Sequence, residues 1–356
     1  MQRRVTQIEA IRVLAMAGIF FYHLWSVLPE GGVKNPFGPL LGAILAQGYL
    51  GVVVFNAITG FVLTLPHAGP DGKPGMPVAT FFRRRFGRIV PQYYVSLGLW
   101  TVVALLAGSM PLMALAACVA EKLIFVQTFD PQRFFSLVPA LWWMGLLAQF
   151  YLFFPLVLRL FDRWGTGATT VFFLVVCLGL WYGLSLAAKT HTTAGLFDYM
   201  LYFNLPYRLP EFVLGMAFAR IWKERTATGE LPRGWGLGFG ILAAGGLALS
   251  IAFKDALPMP FAHILLTATC IGVAGSLFTC PAMARWGARP RITAAAAASY
   301  SFYLLHQPLL GYGADLIRSR MAPFTAMIVL GLVSLPLSYA LAVLQDRIVA
   351  VFQTKK

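Results

Sequence analysis

Residues 168–188, ATTVFFLVVCLGLWYGLSLAA, form an apolar run of 21 residues that contains no charged side chain. A helix rises about 1.5 Å per residue, so a run of this length covers the roughly 30 Å of hydrocarbon in a bilayer. The run therefore predicts a membrane-spanning helix, and it indicates the class of protein to which the rest of the chain belongs.

Similar runs recur along all 356 residues, of which 59% are hydrophobic and only 12% are charged. No polar stretch is long enough for a separate soluble domain. The sequence predicts an all-α, polytopic transmembrane bundle of about ten spans, forming a single integral membrane domain over residues 1–356. The predicted limits of the spans are 8–28, 39–64, 91–108, 138–160, 168–188, 203–222, 235–253, 259–280, 297–316 and 322–344.

Charge and cysteine placement exclude several other classes of protein. The net charge of +15 comes from Lys and Arg at the ends of apolar runs. This placement is typical of cytoplasmic retention, so it predicts a cytoplasmic N-terminus and C-terminus and no nucleic-acid partner. The four cysteines lack zinc-site and disulfide-scaffold spacing and are interpreted as buried thiols, so no metal is predicted. The first span is expected to be uncleaved.

One further apolar stretch, 112–129, is expected not to cross the membrane. It carries Glu121 and Lys122 near its middle. Each charge would cost about 2.5–3.5 kcal/mol at a bilayer centre. The stretch is therefore predicted to lie along the outer surface.

Ionisable residues inside apolar runs are candidates for function, because a membrane makes them expensive to keep. Arg12 and His23 in the first span are 11 residues apart, which places both on one helix face about 16 Å apart. Arg12 suits an anionic ligand, and His23 suits a general base. The alternative is that Arg12 extends to the bilayer surface and His23 hydrogen-bonds a neighbouring helix.

A basic cluster, FFRRRFGRIVP, occupies residues 81–91. Arg85 and Arg88 are three residues apart and would share a helix face, presenting two planar groups that suit phosphate oxygens. A phosphorylated cytosolic cofactor would fit such a pair. The cluster by itself is equally typical of a span anchored to anionic lipid, which we favour from the charge run alone.

The sixth and ninth spans carry the remaining candidates. Arg208 and Glu211 are three residues apart and are expected to pair, most simply as a structural clamp between helices. Tyr303 shares a helix face with His306, whereas Asp315 lies half a revolution away, so no Asp–His relay is expected within this helix. The other histidines, His67, His191 and His263, lie near loops or helix ends and are assigned no role.

Five motifs follow one another along the chain. They are QIEAIR (7–12) leading to His23, RFGRIVPQYY (85–94), LW (141–142) through QFY (149–151) to Pro155, RLPEFVLG (208–215) and SYSFYLLH (299–306). In this order the chain closely resembles the acyltransferase-3 family of integral membrane O-acyltransferases. The resemblance covers nearly the whole chain and is carried by the order of the motifs rather than by any one of them.

The resemblance implies transfer of an acyl group, commonly acetyl from cytosolic acetyl-CoA, to a hydroxyl of a surface polysaccharide or another glycoconjugate. It implies that Arg12 and His23 take part in the activity, that Arg85 and Arg88 engage the acyl donor, and that Glu211 is a functional carboxylate. We expect a multi-pass protein of the cell inner membrane, whose partners are the bilayer, a glycan or lipid-linked glycan acceptor and possible components of a polysaccharide assembly.

The chain departs from the family pattern at one place. Many relatives carry one or two glutamates directly before the QFY motif, where this chain has Leu147 and Ala148. We expect no soluble esterase-like domain of the kind that some relatives carry, so the chain would complete the transfer alone or pass the acyl group to a partner.

Two other functions stay open from the residues alone. A secondary transporter also places charged residues in apolar helices, and Arg208, Glu211 and His306 would then form a substrate or proton path. A non-catalytic membrane subunit of an envelope assembly would use the same polar residues only to hold helices together. For the enzyme, the hypothesis is that His23 deprotonates the acceptor hydroxyl or transiently carries the acyl group.

Overall fold

A computed structural model describes residues 5–27, 38–67, 77–189, 202–226, 234–253, 259–317 and 319–353. Within these ranges the regular structure consists of α-helices and short 3₁₀ turns. The α-helices are α1 (Thr6–Ser26), α2 (Gly38–Ala46), α3 (Gly51–Thr64), α4 (Val78–Ala107), α5 (Leu112–Leu123), α6 (Trp142–Trp164), α7 (Thr166–Lys189), α8 (Leu205–Thr226), α9 (Trp235–Ala252), α10 (Met259–Thr279), α11 (Pro281–Gly287), α12 (Pro290–Ile317) and α13 (Pro323–Gln353).

Nine of the ten predicted spans each overlap one α-helix, and the span 39–64 consists of α2, a 3₁₀ turn at Gln47–Leu50 and α3. In the described part of the chain, 8 helical segments are long and apolar enough to cross a membrane, so the multi-pass helical architecture is confirmed. The predicted sixth and ninth spans correspond to α8 and α12, which are continuous helices but carry more polar side chains. The count of ten spans and the cytoplasmic position of both termini remain predictions.

The helix of the third span begins earlier than the sequence predicts. The expected span starts at residue 91, whereas α4 begins at Val78. A helix satisfies its own backbone hydrogen bonds, so it does not have to end where the hydrocarbon ends. Arg85 and Arg88 therefore lie within the same continuous helix as the apolar span, which fixes their position relative to the bundle.

The stretch that was expected not to cross forms α5, a helix of 12 residues. Its length of about 18 Å is too short for a bilayer. Its charged side chains have partners nearby: Glu121 lies 2.5 Å from Arg133, and the buried Lys122 ammonium donates a hydrogen bond to the sulfur of Cys118 at 3.1 Å. The short helix supports the expectation that this stretch does not cross, which stays a prediction together with the number of spans.

The helices α3 and α8 approach each other at backbone contact. A Cβ built on Gly215 of α8 would lie 1.9 Å from the carbonyl oxygen of Ala57, and one on Gly60 of α3 would lie 2.0 Å from that of Phe212. Only glycine permits such an approach, as at the close helix crossings of other membrane proteins. This contact fixes the spacing of the two helices that carry Asn56 and Glu211.

We expect Gly215→Ala to destabilise the protein by about 1–3 kcal/mol, because the added methyl group meets backbone that cannot rotate away. Thermal unfolding of the purified protein in detergent measures the effect. The matched control is Gly98→Ala in α4, where a Cβ meets nothing within 4 Å. Equal unfolding temperatures for the two variants would contradict the close contact.

Candidate active site

A cavity of about 130 Å³ lies between α1, α3, α4, α6 and α12. Three guanidinium groups line it, those of Arg12 from α1 and of Arg85 and Arg88 from α4. Much of the remaining wall is aliphatic or aromatic, and includes Ile19, Phe55, Trp143, Leu147, Tyr151, Tyr300 and Tyr303. We call this space the arginine cavity.

The three arginines reach the cavity from two different helices. Arg12 lies 3.5 Å from the carboxylate of Glu9 one turn earlier, and its side chain is 20% exposed. The guanidinium of Arg85 lies 5.9 Å from the ring centre of Phe81, and the Arg85 side chain is half-buried. Planar, permanently charged groups that converge on one space suit the oxygens of an anion such as a phosphate. The sequence predicted the Arg85–Arg88 pair, and the tertiary structure adds Arg12 to it.

His23 and His306 lie next to each other, with ring centres 5.2 Å apart. We call them the histidine pair. Neither lines the arginine cavity, but each lies one helical turn beyond a residue that does: Ile19 precedes His23 in α1, and Tyr303 precedes His306 in α12. One turn is about 5 Å, so the histidine pair lies just past the inner end of the cavity.

Hydrogen bonds fix the orientation of both rings. His306 is fully buried, and its Nδ1 lies 2.9 Å from the carbonyl oxygen of Tyr303. His23 is half-buried, and its Nδ1 lies 3.3 Å from Nε2 of Gln307. The Tyr303 hydroxyl donates to the carbonyl oxygen of Ala140 at 2.7 Å, so it serves to join α12 to the start of α6.

Glu211 is the centre of a fully buried polar network. One carboxylate oxygen lies 2.9 Å from the Arg208 guanidinium and 2.9 Å from Nε2 of His263. The other accepts a hydrogen bond from the Asn56 amide at 2.6 Å, and the Asn56 oxygen in turn accepts one from the Trp143 indole at 2.8 Å. We call this network the glutamate clamp, and it joins α3, α6, α8 and α10.

The predicted Arg208–Glu211 pair is confirmed, but sequence reasoning missed two of its partners. His263 was assigned no role, and Asn56 was not considered. Both are buried and bonded to Glu211, although they lie 52 and 155 residues away along the chain. No spacing rule reaches across such separations. The sequence does show that each is a polar residue within an apolar run, which marks it as a candidate but does not identify its partner.

Glu211 does not line the arginine cavity, but the clamp reaches the cavity wall. Trp143 lines the cavity and donates to Asn56, which binds Glu211. Two hydrogen bonds therefore join the Glu211 carboxylate to the cavity wall.

The departure from the family pattern falls on the cavity wall. Leu147 lines the cavity, so a glutamate at that position would lie among the arginines. Here this part of the wall is apolar. The neighbouring Gln149 has a different task, because its amide bonds Thr128 at 3.1 Å, Asn204 at 2.8 Å and the backbone N–H of Leu205 at 2.9 Å.

The cysteines and the histidines outside the site form no further candidate site among the described residues. The four cysteines are unpaired thiols, three of them buried. No cluster of three or more His, Cys, Asp or Glu residues that could hold a metal occurs within the described ranges. His67 is half-buried at the end of α3, 5.8 Å from Phe154 between ring centres, and His191 lies outside the described residues.

The described helices form a multi-pass bundle that brings three basic groups and a histidine pair close together. A family model described as an acyltransferase domain (Acyl_transf_3) matches residues 5–343. The chain therefore belongs to the acyltransferase-3 family. No solved structure matches the chain.

Several curated proteins are similar over much of the chain. The peptidoglycan O-acetyltransferase OatA of Listeria monocytogenes is 22% identical over 247 residues, which cover 65% of this chain and 36% of OatA. The putative O-acetyltransferase SACOL0978 of Staphylococcus aureus is 24% identical over 65% of this chain and 37% of its own length. The acyltransferase MdmB of Streptomyces mycarofaciens is 27% identical over 89% of this chain and 82% of its own. The match spans about a third of the length of OatA and SACOL0978.

We expect Glu211→Gln to destabilise the protein by about 3–5 kcal/mol, because it leaves the buried Arg208 guanidinium without a counter-charge. A fall in the thermal unfolding midpoint in detergent measures this. The matched control is Asp162→Asn, which removes another carboxylate bonded to an arginine, Arg220, but at a partly exposed pair worth less than about 1 kcal/mol. A Glu211→Gln protein as stable as the control would show that the clamp is not structural.

Proposed function

We propose that this enzyme moves an acetyl group from cytosolic acetyl-CoA to a hydroxyl of an exported or cell-surface glycan. The observation that carries the proposal is that Arg12, Arg85 and Arg88, from two separate helices, line one cavity that ends one turn short of two histidines. Relatives named O-acetyltransferases support the acetyl group, and a relative named for peptidoglycan supports a glycan acceptor.

In this proposal the arginine cavity holds the phosphorylated end of the donor. Coenzyme A carries several phosphate oxygens, and guanidinium groups bind such oxygens through paired, charge-assisted hydrogen bonds. The basic residues near the cavity belong to the end of the bundle that the sequence places in the cytoplasm, where acetyl-CoA is made. The charged part of the donor can therefore stay outside the hydrocarbon.

The acyl group has to travel farther than the phosphates. The apolar and aromatic wall between the arginines and the histidine pair suits an uncharged thioester arm. At its end, the acceptor oxygen attacks the thioester carbonyl, the carbon–sulfur bond breaks, and the thiol leaves with the proton that the acceptor lost. One of the two histidines takes this proton; the sequence alone favours His23 for this role, or for that of a transient acyl carrier.

Membrane location and partners follow from the same arrangement. The acceptor has to reach the histidine pair from the side opposite the arginines, so an inner-membrane enzyme would meet a glycan or lipid-linked glycan on its way out of the cell. Partners from a polysaccharide assembly would deliver or receive it. A transport role is less well supported, because Arg208 and Glu211 bind each other away from the cavity.

We expect His23→Ala to abolish O-acetylation while the protein still inserts in the membrane. The test compares ester-linked acetate on the exopolysaccharide, lipopolysaccharide and peptidoglycan of cells that express wild type, the variant or neither. If the His23→Ala cells carry as much ester-linked acetate as wild-type cells, His23 does not take part in the reaction. If wild type adds no acetate to any glycan, the proposed acceptor class is wrong.

We expect Arg85→Ala to weaken acetyl-CoA binding about tenfold or more, because it removes charge-assisted hydrogen bonds to the donor. Arg84→Ala is the matched control: it deletes an exposed guanidinium from the same basic cluster, and Arg84 does not line the cavity. Calorimetric titration of the purified protein measures both affinities. Equal acetyl-CoA affinities for the two variants would indicate that Arg85 anchors the helix to lipid and does not bind the donor.

A further inference from the structure

Two buried polar atoms beside His23 have no hydrogen-bond partner among the described residues. They are Nε2 of His306 and the side-chain oxygen of Gln307. Buried polar groups are nearly always paired in folded proteins, so two such atoms on consecutive residues call for an explanation. The explanation depends on whether each atom donates or accepts.

The contacts of His306 determine the role of its free nitrogen. Nδ1 lies 2.9 Å from the carbonyl oxygen of Tyr303, and a carbonyl oxygen can only accept. Nδ1 of the neutral ring therefore carries the hydrogen, and Nε2 carries a lone pair. The Gln307 oxygen is also an acceptor. The site thus offers two acceptors and is complementary to a group that brings a donor, such as a hydroxyl.

His23 is held in the opposite tautomer. Its Nδ1 lies 3.3 Å from the amide nitrogen of Gln307, which can only donate. Nδ1 of His23 therefore accepts, and the hydrogen of the neutral ring lies on Nε2. Two neighbouring imidazoles, with ring centres 5.2 Å apart, thus present one free lone pair and one N–H group.

The surroundings of His306 favour an uncharged, unhydrated base. Phe302 stacks on the His306 ring at 5.6 Å with an angle of 11°, and Phe20 lies 6.4 Å away between ring centres. His306 is fully buried, whereas His23 is partly exposed. A hydroxyl would therefore reach the lone pair of His306 from the His23 side.

We propose that His306, and not His23, is the general base that takes the proton of the acceptor hydroxyl, while the Nε2–H of His23 donates to the thioester carbonyl oxygen. This inference rests on the proposed function and assigns the two histidines within it. Nε2 of His306 takes the hydroxyl proton as the oxygen attacks the carbonyl carbon. The negative charge that develops on the carbonyl oxygen is bound by His23, the carbon–sulfur bond breaks, and the thiolate takes the proton back from His306.

The test uses His306→Asn, whose amide N–H can replace Nδ1 as the donor to Tyr303 but offers no base. Membrane vesicles that contain the full chain and the cell's own acceptor receive labelled acetyl-CoA. One reaction measures ester formed on the endogenous acceptor. A parallel reaction adds hydroxylamine, whose nitrogen attacks a thioester without first losing a proton, and measures hydroxamate formed above the rate in vesicles lacking the protein.

We expect His306→Asn to lower ester formation about 100-fold or more while hydroxamate formation stays within about threefold of wild type. Since His23 acts on the carbonyl in both reactions, His23→Ala should lower both products together. The matched histidine control is His67→Asn, for which the ratio of the two products should stay at the wild-type value.

Two outcomes for His306→Asn would overturn the inference. Ester and hydroxamate falling together would indicate a structural role, and ester formation at the wild-type rate would exclude a base role. Failure of the proposed function looks different, because wild-type vesicles would then form neither product.

Discussion

The structure depends on the high cost of an unpaired charge within a bundle that lies in hydrocarbon. Glu211 is fully buried, and it is tolerated because Arg208, His263 and Asn56 all bind its two oxygens. Removing Arg208 leaves the buried carboxylate without its counter-charge, and removing Asn56 leaves its second oxygen unpaired, so these contacts hold the four helices of the clamp in one arrangement. The backbone contact at Gly215 has the same effect, because it leaves α3 and α8 no room to shift.

This rigidity matters for the site because the clamp and the arginine cavity share a wall. Trp143 donates to Asn56 on one side and lines the cavity on the other. The buried polar residues thus form two groups: the glutamate clamp holds helices together, and the arginine cavity with the histidine pair forms the candidate site. Those of the clamp bind one another, whereas Nε2 of His306 and the side-chain oxygen of Gln307 have no hydrogen-bond partner among the described residues.

Several features could be read from the sequence with simple physical rules. The run 168–188 predicts a span because its length matches the bilayer, and α7 covers it. The spacing of Arg85 and Arg88 predicts a shared face, and both line the cavity. The predicted start of α4 was less accurate, because an apolar run ends at the edge of the hydrocarbon, whereas the helix continues beyond it. The approach of His23 to His306 was not predicted, because helical periodicity describes one helix at a time.

Composition and local pattern are enough to show a helical membrane protein and the residues that are costly to bury, and the order of the motifs indicates the family. These properties depend on composition and on neighbours a few residues apart. Which of these residues come together is visible only in the folded bundle, where Glu211 contacts His263, Arg12 and Arg85 line one cavity, and His23 lies beside His306. The physical reason is that such contacts join separate helices, and their packing depends on side-chain shape and close backbone approach at positions far apart in the chain.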